Sequence, residues 1–178
     1  MGYKLPMKTC ILLAVHGAPP SDFPRQELAE YLGLHARAEH AAGPREPGIE
    51  DRHAALEAKI RAWPRTPSND PFHAGSLRIA AELEKASGLP VVVGFNEFCG
   101  PSLGDALDRA SAAFEKVVVV TPMLTSGGAH AQADIPAEIG RAQGRHPKTR
   151  YLYAWPFPAA EVGAFLAARV RAAVTEGG

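Results

Sequence analysis

The sequence predicts an α/β domain of the doubly wound, flavodoxin-like class, with a mainly parallel sheet of about four strands. Three observations predict it. Four short runs rich in apolar and β-branched residues recur along the chain, Cys10–Val15, Pro90–Phe95, Lys116–Thr121 and Arg150–Ala154. These runs read as near-continuous rather than alternating, as strands buried on both faces do. Stretches with helical apolar spacing separate them in the order βαβαβαβα, and right-handed crossovers then lay the strands parallel.

Taken in order, the first run ends at Val15 and delivers His16-Gly17-Ala18-Pro19-Pro20 to the carboxyl edge of the sheet, where ligands bind in this architecture. Lys4 and Lys8 precede that run as in a secretory leader, but no small-residue cleavage pattern follows, so it reads as the first strand. Helical spacing then covers Arg25–His40, Ala54–Trp63 and Ser76–Ser87. One helix suffices for a parallel crossover. The extra sequence, broken at Ala42-Gly43-Pro44 and at Trp63-Pro64-Arg65-Thr66-Pro67, reads as a helical insertion over about residues 33–72, beside the cleft or at a subunit contact. The second strand opens into Asn96-Glu97, and a helix follows over Ser102–Phe114. The third strand enters a long loop from Pro122 to His130, ahead of a helix over Ile135–Gln143. The fourth ends at a loop starting with Trp155, before a last helix over Ala160–Val174. Residues 1–178 are expected to form one domain.

Composition narrows the function classes. Nineteen basic and nineteen acidic side chains cancel at neutral pH, so no global field favours nucleic acid or an anionic membrane. The apolar runs are far shorter than the roughly 20 residues a bilayer span needs, so no membrane insertion is expected. The two cysteines, Cys10 and Cys99, fall in two predicted strand regions and make neither a disulfide framework nor a Cys-rich metal motif. A cytoplasmic setting is expected.

Chemistry-bearing residues gather at the strand ends. His16 leaves the first strand, and Gly17 beside it lets a ligand approach the backbone; a neutral imidazole there can bind a borderline divalent metal or take a proton. His130 follows the flexible Gly127-Gly128 turn. Asp134-Ile135-Pro136 then reads as a helix start, with Asp134 as cap, which places His130 just before that helix. Glu97 can be a third ligand, a proton relay or a plain loop acid. Ser102 reads as a helix-start residue. His35, His40 and His53 in the insertion, His73 before a helix and His146 at a helix end read as surface or capping residues. A histidine after a strand can also carry phosphate when an arginine precedes the His-Gly pair, but Val15 stands there, and no G-x-S-x-G elbow or G-x-x-x-x-G-K-[ST] loop occurs.

Three ordered motifs, His16-Gly17, Phe95-Asn96-Glu97-Phe98-Cys99-Gly100-Pro101-Ser102-Leu103, and Pro122-Met123-Leu124-Thr125-Ser126-Gly127-Gly128-Ala129-His130 with Asp134-Ile135-Pro136 after it, resemble those of the sirohydrochlorin cobaltochelatase and ferrochelatase superfamily, in its short, class II form. The resemblance covers most of the chain outside residues 33–72. It implies insertion of a divalent metal, Co2+ or Fe2+ and possibly Ni2+, into a cyclic tetrapyrrole such as sirohydrochlorin, as in cobalamin or siroheme biosynthesis. His16 and His130 would hold the metal or accept pyrrole protons, with Glu97 assisting. The metal is then substrate, no cofactor is tightly bound, and a homodimer completes the cleft. Two departures stand out: Ala18 replaces the serine common after His-Gly, and the long insertion makes the first crossover more like that of ferrochelatases. The competing readings are a noncatalytic tetrapyrrole or metal carrier and a small phosphate-ester enzyme using His16 and the Gly127-Gly128 loop.

Overall fold

The computed structural model of the chain describes residues 7–40 and 48–176; Lys4 and the Ala42-Gly43-Pro44 break lie outside the described residues. Four strands, β1 (Thr9–Val15), β2 (Val91–Phe95), β3 (Lys116–Val120) and β4 (Arg150–Tyr153), form one all-parallel sheet in the order β2-β1-β3-β4. Register runs Ile11 opposite Val91 and Val15 opposite Phe95 on one side of β1, and Thr9 opposite Lys116 on the other. That order is the doubly wound arrangement predicted from the strand runs.

Among the described residues the α-helices are α1 (Arg25–His40), α2 (Ile49–Ala62) and α3 (Pro71–Ser87) in the first crossover, α4 (Leu103–Ala113) and α5 (Ile135–Arg145) in the next two, and α6 (Ala159–Glu176) after β4. Alternation along β1 divides the core. Cys10, Leu12 and Ala14 pack with Leu103, Ala106 and Leu107 of α4 and Ile135 of α5, while Leu13 and Val15 pack with Tyr31 of α1, Leu56 and Ile60 of α2 and Ala80 of α3. Both faces of the central strand are thus dry, which explains why its sequence reads as a continuous apolar run. Burying such side chains is the main stabilising term, about 1.5–3 kcal/mol each.

Close packing accounts for Gly94. A Cβ there would lie 2.9 Å from the Ala106 Cβ and 3.2 Å from Leu103, so α4 sits on β2 at a distance only glycine permits. The first crossover leaves by one face and the later two by the other, so the chain reverses direction between β1 and β3. This is the switch point where the loops of an open α/β sheet part to leave a crevice, and it lies between His16 and the loop carrying His130.

Several boundaries move from their sequence positions. Helix α2 begins at Ile49, not Ala54, because Glu50 and Asp51 supply the acidic first turn a helix amino end favours. Helix α3 begins at Pro71, not Ser76: the buried Asp70 accepts from the His73 amide as N-cap, and Pro71 fits the first turn. His73 therefore lies inside α3 rather than before it, with its ring stacked on Phe95. Ser102 caps α4 by accepting from the Asp105 amide, and His146 ends α5, both as read from sequence. Cys99 is not in a strand. It lies beyond the end of β2, where Phe98 adopts a left-handed φ of 56° and turns the chain back into the core.

Candidate metal centre

The loop after β1 is built on a close backbone approach. Gly17 has φ of 102°, and a Cβ on it would lie 1.9 Å from the Glu97 carbonyl oxygen. No side chain fits there, so the two loops run side by side. The Asn96 amide donates to the Val15 carbonyl at 2.9 Å and the Glu97 amide to the His16 carbonyl at 2.8 Å, extending the pairing of β1 and β2 past the sheet. These bonds set Glu97 beside His16.

The second loop is clamped from below by α2 and the segment after it. Arg61 donates to the carbonyls of Asn96 and Cys99, both at 2.8 Å. Arg65 donates to the carbonyls of Ala18, Ile60 and Phe98 and pairs with Asp70 at 2.5 Å. Arg65 and Asp70 are almost wholly buried; both terminal nitrogens of Arg65 and both oxygens of Asp70 have fixed partners, while the buried Arg65 Nε has none among the described residues. A buried pair of this kind is tolerated only with such additional hydrogen bonds. Nothing in the spacing of Arg61, Arg65 and Asp70 announced this role; the Pro-rich stretch that read as surface punctuation supplies the frame of the site.

On the far side of the switch point, His130 opens a single π-helical turn, His130–Asp134, continuous with α5. It therefore stands within the helical rod rather than before it. Asp134 makes no capping bond. Its carboxylate instead lies 2.6 Å from His130 Nδ1, and a carboxylate can only accept, so the ring carries its proton on Nδ1. The capping reading of Asp134 is thus corrected: the wider turn brings residue i+4 back over the histidine ring, and the helix start is already satisfied by continuous backbone. The His16 Nδ1 likewise faces the Gly17 carbonyl at 2.7 Å and must donate to it. Both imidazoles are held as the Nδ1–H tautomer, which leaves the lone pair on Nε2.

Those two Nε2 atoms converge on one carboxylate. His16 Nε2 lies 3.9 Å from Glu97 Oε2 and His130 Nε2 lies 3.6 Å from Glu97 Oε1, with the two rings edge to face at 4.6 Å. One donor atom from each of His16, Glu97 and His130 falls within 4.8 Å of the others. A tetrahedral ion with bonds of about 2.0–2.2 Å spaces its ligands about 3.3–3.5 Å apart, so small side-chain movements would close these three around an ion and leave a fourth position open. Orientation of each ligating ring through its other nitrogen is the usual outer-shell arrangement of metal sites.

Two cavities meet at this cluster. One of about 280 Å3 is polar, and its walls include Glu97, His130, Asp134, Asn96, Arg61 and His35. The other, of about 420 Å3, is apolar and lined by Val15, His16, Phe72, Ile79, Pro122 and Met123. The sequence predicts a surface role for His35. The structure turns it inward, with Nε2 3.8 Å from Glu97 Oε1, because α1 carries Tyr31 and His35 on one face, four residues apart, and Tyr31 is buried.

The family model for CbiX matches residues 68–173, more than half of the chain. The chain belongs to the CbiX family. The matched span holds Glu97 and His130, while β1 with His16 and helices α1 and α2 lie outside it. Among solved structures, the sirohydrochlorin chelatase SirB of Bacillus subtilis subspecies spizizenii, in complex with cobalt, is similar at 20% identity with a TM-score of 0.42, over 84% of this chain and 44% of that one. SirB of Bacillus subtilis with Fe3+ is similar at 21% identity with a TM-score of 0.42, over 84% and 40%. A putative cobalamin (vitamin B12) biosynthesis CbiX protein of Marinobacter aquaeolei VT8 is similar at 20% identity with a TM-score of 0.46, over 94% and 98%. The chain thus spans less than half the length of either SirB. No curated protein matches it. No helix among the described residues is long and apolar enough to cross a membrane.

Proposed function

We propose that this CbiX-family chain inserts a divalent metal, cobalt or iron, into a cyclic tetrapyrrole of the sirohydrochlorin type. The observation that carries the proposal is the convergence of the His16 and His130 lone pairs on Glu97, in the wall between a polar and an apolar cavity. The apolar cavity takes one face of the macrocycle, and the polar cavity admits the ion. Two imidazoles and a carboxylate suit a borderline first-row ion, and their incomplete shell lets it leave for another ligand set.

Insertion requires loss of two pyrrole N–H protons. Nε2 of His16 or His130 is the accepting atom, since Nδ1 is occupied in both rings, and Glu97 between them can relay the proton. A cleft complementary to a bent macrocycle lowers the barrier more than one fitting the flat ring. The chain acts as a homodimer in this reading, the second copy covering the apolar side chains Phe165, Leu166, Val170 and Val174 that α6 exposes. The setting is cytoplasmic, in keeping with two free cysteines.

Anaerobic spectrophotometry of sirohydrochlorin with Co2+ or Fe2+ tests the reaction. Catalytic conversion by the wild-type chain, lost in His16→Ala and His130→Ala at matched metal concentration, supports insertion. A stoichiometric spectral change without turnover makes the protein a carrier instead.

A further inference from the structure

A second group of nitrogen ligands stands beside the cluster. His35 Nδ1 of α1 lies 3.2 Å from His53 Nε2 of α2. Both rings stack on the buried Tyr31, His35 at 5.6 Å and His53 at 5.0 Å between centroids, and on each other at 5.4 Å. The two helices that carry them are locked in register by Arg52 on Glu30 and Lys59 on Glu27, at 2.6–2.7 Å. Ring packing and helix pairing together hold these two nitrogens facing one another before any ligand arrives.

We propose that His35 and His53 form a second station for a borderline divalent transition ion, which receives the metal and passes it by way of Glu97 to His16 and His130. Two nitrogen ligands of a tetrahedral ion, bonded at about 2.0–2.1 Å, stand about 3.3 Å apart, close to the observed separation. Without an ion, one imidazole donates a proton to the other across that gap; an ion takes the place of the shared proton. The outer nitrogen of His35 then faces Glu97 at 3.8 Å, the position of the carboxylate in a carboxylate–histidine–metal arrangement.

Glu97 links the two stations. His35, His16 and His130 each place Nε2 within 4.0 Å of its carboxylate, so rotation of one side chain spans the gap between them. His53 and Glu57 lie four residues apart on one face of α2, and Glu57, like His35 and Glu97, lines the polar cavity. Binding at this station stands on these side chains alone; the hand-over rests on the chelatase reading.

The test titrates the full chain with Co2+ under anaerobic conditions, reading visible cobalt absorption and calorimetric stoichiometry. His35→Phe/His53→Phe removes the nitrogens while keeping rings to stack on Tyr31, and His16→Ala/His130→Ala isolates the new station; circular dichroism and denaturation midpoints check that each variant folds. The His16→Ala/His130→Ala chain is expected to retain one equivalent of cobalt, lost or weakened by about tenfold or more when His35→Phe/His53→Phe is added. No cobalt binding by a folded His16→Ala/His130→Ala chain, or binding unchanged by the added substitutions, overturns the station. If cobalt binds there as expected but the wild type never metallates sirohydrochlorin, the station stands and the chelatase reading fails. If insertion does occur, His35→Phe/His53→Phe should slow it about tenfold at limiting metal and by clearly less at saturating metal. An equal loss at both overturns the hand-over.

Discussion

Replacing Gly17 by alanine perturbs the site through one methyl group. Its carbon would arrive 1.9 Å from the Glu97 carbonyl oxygen, so to reach ordinary contact the Glu97 backbone must retreat by about 1.5 Å. That retreat strains the hydrogen bonds joining Asn96 to Val15 and Glu97 to His16, each contributing about 1 kcal/mol net. The backbone adds its own cost, since φ of 102° is a glycine conformation and holding alanine there costs about 1–3 kcal/mol. Together these place Gly17→Ala at about 3–5 kcal/mol of lost stability. A fold that survives would hold Glu97 displaced from both histidines. The assay is urea denaturation together with cobalt titration of the folded variant, and metal affinity should fall by about tenfold or more. A variant within about 0.5 kcal/mol of wild type that binds cobalt normally would refute the claim that this close approach positions Glu97.

Other perturbations reach the site from different sides. Asp134→Asn replaces the carboxylate accepting from His130 Nδ1 and should weaken cobalt binding about 10- to 100-fold with little change in denaturation midpoint; an unchanged titration would mean the π-turn alone orients the ring. Asp70→Ala strands Arg65 among carbonyls with no counter-charge and should cost about 3–5 kcal/mol by chemical denaturation, whereas a cost under 1 kcal/mol, roughly that of a surface pair, would show the pair is wet. Desolvation holds the His73 imidazole below its ordinary 6.5, with Asp70 opposing that and Arg65 reinforcing it. The unfolded chain therefore binds the extra proton first, and stability present above that value is lost as pH falls through the folded one. His73→Phe, which keeps a ring on Phe95, should remove part of the stability loss that sets in as pH falls below about 6.5; an identical pH dependence in both proteins would refute it. Phe165→Glu/Val170→Glu on α6 should give a monomer by sedimentation if a second copy covers that face, and an unchanged dimer would place the contact elsewhere.

Local chemistry determined the four strands, their parallel order and the loops at their carboxyl ends, because a strand buried on both faces must be apolar throughout and a crossover between parallel strands must be helical. His16, Glu97 and His130 stood out as candidates for the same reason: the loops that carry them begin where those strands end. What surrounds them was not. Asp134 read as a cap because the sequence Asp-Ile-Pro suits a helix start, yet a π-turn of one extra residue per hydrogen bond swings its carboxylate onto His130 instead. Arg61, Arg65 and Asp70 read as insertion and punctuation, and His35 and His53 as surface, since the partners that draw them to the site lie 18 to 62 residues away along the chain. Contacts of that range leave no period or motif in the sequence. They arise only when packing lays α1 and α2 over the loop after β2, and that packing turns His35 toward Glu97.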